Sequence, residues 1–498
     1  MRKTCQGSTS PFLCISAAGA QRTFSGRLGR YTSDCNVAFA RVVDLLWLAV
    51  IGPSRLPSLI IRRKTLTCFF AIMLLAMWAV TRLEVIAGPQ IRIVAARPEG
   101  GDEPHYLLML LSIMYYHQLE MGRAYLRNPG GYYLPDRHTI LVNRRTGQHA
   151  LSFDHNRAFS IKSHDVYEVP AHPIAYPALL AILLAPFSPD MRYLVRDASI
   201  AMVFISWLVI IVVYKFVRTL GMGCWPALLA ASVLGLASPW FAYTRSFYPE
   251  PAIGLAMVLA LWALARDHSK MAALASAAAA FMKPPFALIG VGFVVERMWA
   301  RRWREAASMV AVLAVCAIAL VTFNYWLART AVISGNLGLV PVRSLRPLHE
   351  TLIGSRHGLL NFVPWTIVAF IFLVFSLMPW GTESSILRPI AIPTVLYLIL
   401  LSLDSKGPGS SYGPRYWVPF LPWFAIASVE GLRVIRRPSP IRSALLLGYV
   451  PAVAFSAAIA LPGALQYWAL FDRPVSTTWR NFETAANAPA KIAAARPR

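Results

Sequence analysis

Apolar runs separated by short polar turns fill most of this chain. They fall at about 65–86, 198–214, 224–243, 250–265, 269–282, 284–297, 306–327, 361–380, 386–403, 416–434 and 441–462. A crossing helix needs roughly 20 such residues, so the pattern predicts an all-α polytopic membrane bundle of about 11 spans. Three runs are short, and the two flanking Lys283-Pro284-Pro285 read as half-helices meeting at a break. Tyr176–Phe187, enclosed by Pro173 and Pro189, offers only about a dozen apolar residues. That length suits a re-entrant or interfacial helix better than a crossing. Between the first and second spans lies a long polar loop, 88–175.

The ends differ from the body. Residues 1–64 form a basic tail that holds Arg2, Lys3, Arg22, Arg27, Arg30 and Arg41 against Asp34 and Asp44. Its apolar piece Leu45–Ile61 is broken by Pro53, Arg55 and Pro57 and reads as a surface segment. A transit peptide, a misassigned start and a disordered cytoplasmic tail all fit this composition. The membrane-embedded body is expected over 65–475, followed by a C-terminal tail, 476–498.

Composition sharpens the class. The chain is 57% hydrophobic and 14% charged, with mean hydropathy +0.52, where a soluble domain carries roughly 25% charged residues. The net charge of +25 comes from short Lys/Arg clusters between apolar runs. Such clusters are topology signals and headgroup contacts, which sets nucleic acid aside and makes membrane lipids the partners. The six cysteines show no CxxC or Cys/His spacing, so a structural zinc site is not expected.

If Tyr176–Phe187 does not cross, the turns at Lys215/Arg218, Arg266/Lys270, Arg297/Arg301/Arg302/Arg304 and Arg433/Arg436/Arg437 lie inside with Arg62-Arg63-Lys64. Asp102, the 328–360 loop, Tyr248-Pro249-Glu250, Lys283 and Gly413-Pro414-Arg415-Tyr416 then emerge together on the non-cytoplasmic face.

Several of these residues can carry chemistry. In Gly101-Asp102-Glu103-Pro104-His105-Tyr106 two acids stand at the water edge of the bilayer, where a carboxylate can deprotonate an acceptor. The same acids would also suit the start of a helix over 105–117, with Pro104 in its first turn. Glu250 opens a span, Lys283 sits at the proline break and Arg415 precedes a span; each can bind substrate or simply sit at the interface. Seven of the ten histidines (His105, His117, His138, His149, His155, His164 and His172) share the first loop with Asp136, Asp154, Asp165 and Glu168. They show no recognised ligand spacing, so no metal site is assigned and no cofactor is required, though a divalent metal stays open.

Five segments taken in order resemble one family. They are Gly-Asp-Glu-Pro-His-Tyr-Leu (101–107), His172-Pro-x-x-x-Pro running to Ala-Pro-Phe (185–187), and Tyr-Pro-Glu (248–250). Arg356-His-Gly-Leu-Leu-x-x-x-Pro (356–364) and Gly-Pro-Arg-Tyr-Trp-Val-Pro-Phe-Leu-Pro (413–422) complete the set. From about 65 to 475 the chain resembles the bacterial GT-C polytopic glycosyltransferases related to protein O-mannosyltransferases and to the aminoarabinose transferase of lipid A. The resemblance implies a polyprenyl-monophosphate-linked sugar donor, a glycan, lipid or protein acceptor, and juxtamembrane helices matching 105–117 and 176–187. It also implies a bacterial inner membrane location with the active site facing the periplasm or exterior. Asp102 would be the base of an inverting displacement, with Glu103 beside it. A phosphate leaving group needs cations rather than a general acid, a role that suits Arg415, Lys283 and Arg356. His105, Tyr106, His172, Glu250 and Tyr416 are the expected substrate contacts. A flippase for polyprenyl-linked sugar and an O-antigen ligase or polymerase are the competing readings. The first expects internal repeats and mid-span charges, the second a long polar loop late in the chain.

Overall fold

A computed structural model describes residues 58–85, 91–93, 102–127, 139–143, 145–146, 148–151, 166–187, 190–331, 346–378, 386–403, 412–435, 440–465 and 476. Most of both predicted tails, and Asp136, His138, Asp154, His155, His164 and Asp165 of the first loop, lie outside the described residues. The chain divides into two units, 1–69 and 70–498. In the first, Ser58–Phe69 is helical, the start of α1 (Ser58–Arg82). The helix therefore begins directly after Pro57, and Ser58–Ile61 belongs to it rather than to a broken surface segment.

The second unit is a helical bundle whose apolar helices coincide with the runs seen in the sequence. In chain order they are α5 (Leu194–Thr219), α6 (Cys224–Leu236), α7 (Glu250–Ala265), α8 (Ser269–Met282) and α9 (Ala287–Trp299), then α10 (Trp303–Ala328), α12 (Thr366–Leu377), α13 (Leu387–Leu403), α14 (Leu421–Val434) and α15 (Pro440–Leu465). Before them come α2 (Glu103–Tyr116), α3 (Gly122–Arg127) and α4 (Ala175–Leu184), and α11 (Arg346–Ile353) lies between α10 and α12. The run read as one span over 224–243 stops at Leu236. Ser238-Pro239 interrupts it, and a single helical turn, Trp240–Tyr243, follows.

Among the described residues three helical segments are long and apolar enough to cross a bilayer: Met191–Thr219, Trp303–Ala328 and Ser443–Leu465. The apolar stretch of α5 is 72% buried by other helices, that of α10 only 11%. Along α10, Val315 and Ile318 stand 67% and 66% exposed. A helix so apolar and so uncovered has hydrocarbon as its partner. The ten residues of α4 are too few for a crossing.

The first loop is not purely helical. Beyond α2 and α3 it builds a three-stranded antiparallel sheet in the order β4-β3-β5, where β3 is Thr139–Asn143, β4 His149–Leu151 and β5 Val166–Pro170. A two-stranded ribbon, β1 (Leu83–Val85) with β2 (Ile91–Ile93), follows α1. The alternation in Thr-Ile-Leu-Val-Asn buries Ile140 and Val142 with Val169, Ala171, Leu327 and Ala328. Asn143 closes the β3–β4 turn, its Oδ1 accepting from the Arg145 and Thr146 amides. The Tyr167 hydroxyl donates to the Leu327 carbonyl (3.1 Å), fastening the sheet to the last turn of α10.

Charge collects at both ends of the α7–α10 group. At one end Arg297 donates to the Leu264 carbonyl (2.7 Å), Arg302 to Asp267 (2.6 Å), and Ser269 to Glu305 (2.7 Å). At the other end stand Glu250 and Lys283. A 3₁₀ turn, Arg415–Phe420, packs against α7 there, and Gly254 makes the approach close. A Cβ on Gly254 would lie 2.8 Å from the Trp240 ring and 3.6 Å from the Pro419 Cα. Gly254→Val should therefore force α7 from its neighbours, an overpacking cost of about 1–3 kcal/mol. The check is the melting temperature of the detergent-solubilised protein, which should fall; an unchanged value would refute the tight approach.

Candidate active site

The site begins at the N-terminus of α2. Asp102 caps that helix with its backbone, its carbonyl accepting from the Tyr106 amide at 3.1 Å, and Pro104 occupies the first turn. Its side chain makes no capping bond. It turns away, and Oδ2 accepts from Arg415 Nη2 at 2.8 Å, across 313 residues of sequence. The acid therefore does more than start a helix.

Arg415 is delivered by a tight turn. Gly413 has φ +58°, a left-handed conformation suited to glycine. Pro414 (φ −81°, ψ 62°) follows as an inverse γ-turn in which the Arg415 amide donates to the Gly413 carbonyl at 2.9 Å. The same carbonyl lies 3.1 Å from His357 Nδ1, so that nitrogen carries the proton and braces the turn. The guanidinium sits over the Tyr248 ring, 3.7 Å from its centre.

Glu250 ties the cations together. Its Oε1 accepts from Arg415 Nε at 2.8 Å and from Lys283 Nζ at 3.1 Å. Lys283 stands where Pro284 and Pro285 stop α8, its extended backbone (φ −157°) leading into a short 3₁₀ turn before α9. The ammonium also lies 4.9 Å from the centre of the Tyr416 ring. Side-chain exposure runs from 0% at Glu250 and 7% at Arg415 to 20% at Asp102 and 21% at Lys283. The base candidate and the lysine are the open edge of the cluster.

The first loop supplies the remaining wall. His172 Nε2 lies 3.8 Å from Asp102 Oδ1. The His172 ring stacks on His105 (5.9 Å between centres) and meets Tyr106 at 5.2 Å. His105 Nδ1 and the Tyr125 hydroxyl of α3 share a 2.5 Å hydrogen bond. Tyr106 meets Tyr176 of α4 edge-on at 5.3 Å.

The two adjacent acids are held in opposite states. Burial alone would raise the Asp102 carboxyl, but the Arg415 guanidinium outweighs it, with help from His172 and Lys283, and holds Asp102 far below the usual carboxylate range. Glu103 is fully buried, its Oε1 accepting from the Phe247 amide at 3.2 Å. There burial prevails and pushes the carboxyl well above the ordinary value. Its Oε2, Glu250 Oε2 and the Tyr248 hydroxyl are buried with no hydrogen-bond partner among the described residues.

Nearly all the residues singled out in the sequence converge here: Asp102, Glu103, His105, Tyr106, His172, Glu250, Lys283, Arg415 and Tyr416. Arg356 does not. It is exposed, and among the described residues no hydrogen bond or ion pair joins it to the cluster. Its neighbour His357 points inward instead. Tyr248, His357 and Tyr125 are the site residues that sequence reasoning missed; the first two stand inside the quoted Tyr-Pro-Glu and Arg-His-Gly segments, whose charges drew attention first. No group of three His, Cys, Asp or Glu side chains among the described residues is arranged to hold a metal ion.

No family model matches the chain, and no curated protein matches it significantly. Among solved structures it is similar to ArnT from Cupriavidus metallidurans bound to undecaprenyl phosphate, at 15% identity and TM-score 0.48, over 85% of this chain and 76% of that one. It is also similar to the Archaeoglobus fulgidus oligosaccharyltransferase in its apo form, at 11% identity and TM-score 0.45. That match covers 83% of this chain and only 56% of the oligosaccharyltransferase.

The upward shift of Glu103 has a measurable consequence. Glu103→Gln keeps both the shape and the acceptor for Phe247, and should leave stability and activity within about threefold of the parent, under ~0.7 kcal/mol. Glu103→Ala strands a buried amide, at a cost of about 1–3 kcal/mol, and should lower the melting temperature. A Gln variant as damaged as the Ala variant would show that Glu103 works as an anion.

Proposed function

We propose that this chain is a membrane glycosyltransferase of the GT-C type. It moves a sugar from a polyprenyl-monophosphate donor to a hydroxyl of a glycan, lipid or protein on the non-cytoplasmic face of a bacterial inner membrane. The observation that carries the reading is one buried arginine, Arg415, paired with a partly open carboxylate, Asp102, and joined through Glu250 to a second cation, Lys283. That is the minimal kit for displacing a phosphate from a sugar carbon.

In the proposed reaction the acceptor O–H gives its proton to Asp102 while its oxygen bonds to the sugar's anomeric carbon from the face opposite the phosphate. The bond from that carbon to the phosphate oxygen breaks, and its electron pair leaves with the lipid phosphate. Charge therefore grows on the phosphate as it shrinks on Asp102. Arg415 and Lys283 stand ready to stabilise it, and a bidentate guanidinium suits the task. His172, His105, Tyr106 and Tyr416 then bind sugar and acceptor, and Glu103 holds the 245–250 turn in place. The phosphate role of Arg356 passes to Arg415 and Lys283.

The prenyl chain would take an apolar groove that is linked to the cluster through Trp417. Trp417, two residues beyond Arg415, meets Phe370 edge-on at 6.2 Å. Phe370 lines an apolar groove of about 440 Å³ with Leu352, Leu360, Ile367, Val374 and Leu398. The placement of the cluster at helix ends, away from mid-span, favours the enzyme over a flippase.

The test is sugar transfer by the purified protein from a panel of labelled polyprenyl-phosphate sugars. Asp102→Asn should abolish transfer while insertion and folding persist; near-normal turnover in that variant would remove Asp102 as base. Arg415→Ala should cut kcat/KM at least tenfold, about 1.4 kcal/mol, and an unchanged rate would reduce Arg415 to a structural charge.

A further inference from the structure

Resting on the reading above, the cluster contains a conflict. The base is ion-paired to the cation that must hold the phosphate. A carboxylate bonded to a buried guanidinium takes up a proton poorly, yet Asp102 Oδ2 lies 2.8 Å from Arg415 Nη2. We propose that Arg415 is handed from Asp102 to the donor phosphate, so that the base is released only when a lipid phosphate occupies the site.

The approaches to Arg415 favour this exchange. The Nε edge of the guanidinium is taken by Glu250, which is fully buried, and one face is covered by Tyr248. Asp102 accepts from Nη2, and Nη1 carries no hydrogen bond among the described residues. An anion entering between Asp102 and Lys283, both partly exposed, meets the ammonium first, and by gripping Arg415 through Nη1 and Nη2 together it displaces Oδ2 from Nη2. The phosphate then has two cations, whereas Asp102 had one at hydrogen-bond distance. Two anions competing for one N–H edge repel, which moves Asp102 further out.

Asp102 has somewhere to go. Its other oxygen is already 3.8 Å from His172 Nε2, just beyond bonding distance, and the His172 ring is held by its stacking on His105 and its contact with Tyr106. Swinging off Arg415 onto His172 keeps the carboxylate in the site while removing its strongest cation. Arg415 does not follow, because Glu250 Oε1 holds Nε from a position with no exposure. Glu250 is thus a positioning residue: it fixes the arginine by Nε while exchange takes place at Nη2. The charged and titratable groups facing Asp102 are Arg415 from the 3₁₀ turn, Lys283 from the proline break, Glu250 and Tyr248 at the start of α7, Glu103 and Tyr106 on α2, and His172 from the segment before α4. Of these, Arg415 alone is at hydrogen-bond distance from the Asp102 carboxylate.

Handover makes proton uptake by Asp102 depend on an occupied phosphate site. The folded, lipid-free enzyme holds its base ionised to low pH. With the lipid bound, the same group should protonate at higher pH.

The test uses the full-length protein in detergent and undecaprenyl monophosphate, which lacks the sugar. Infrared difference spectra follow the protonated carboxyl band of Asp102, identified by carbon-13-labelled aspartate and by its loss in Asp102→Asn. Lipid binding is followed separately by tryptophan fluorescence. The expected result is a rise of about one pH unit or more in the Asp102 midpoint when lipid binds, a tenfold or greater gain in proton affinity. Binding with an unmoved midpoint would overturn the handover and leave the donor reading standing. No binding at all would overturn both.

Discussion

One buried guanidinium organises this protein. Arg415 reaches Asp102 at the head of α2 and Glu250 at the head of α7, and Glu250 passes the link to Lys283 at the end of α8. Four elements distant in sequence meet on that fork. Buried ionic groups of this kind are costly to desolvate, and removing one partner leaves an uncompensated charge worth about 3–5 kcal/mol. A fold that only needed stability would do as well with apolar side chains there. Under the function proposed above, the cluster is an anion site that holds itself closed with its own carboxylates.

The surroundings are built to keep it fixed. His357 and the Gly413–Pro414 turn present Arg415, Tyr248 lies beneath it, and Arg245 donates to the Ala464 carbonyl at 3.0 Å, tying the turn before α7 to the end of α15. Tyr412 extends the same brace, accepting at its carbonyl from Tyr243 and donating to the Ile459 carbonyl. At the far ends of α7–α10 a separate arginine-rich network closes the turns. The bundle therefore has an apolar body between two charged rims, and at the Asp102 rim a buried arginine holds two carboxylates at once.

Much of this was legible in the sequence because membrane helices announce themselves by length and hydropathy, and because charged residues at span ends are few. What the sequence could not convey was direction. Asp102 and Glu103 are neighbours, but successive side chains at a helix start point about 100° apart, so one meets Arg415 and the other is sealed against Phe247. The same holds for Arg356 and His357, where the conspicuous charge faces out and the histidine faces in. The β4-β3-β5 sheet escaped notice because its strands are three to five residues long, too short for alternation to stand out in a polar loop. The break at Ser238-Pro239 was hidden inside an otherwise continuous apolar run.

The bond from Tyr167 to Leu327 has a wider consequence. At 26 residues, α10 is about 39 Å long, longer than the roughly 30 Å of a hydrocarbon core, and a helix with such excess settles by tilting. Its packing against α8 and α9 then sets the inclination. The sheet rides on its last turn, and the Glu168 carbonyl accepts from the Met121 amide that introduces α3. The tilt of α10 is thus linked through hydrogen bonds to Tyr125 and to His105 beside the ionic cluster.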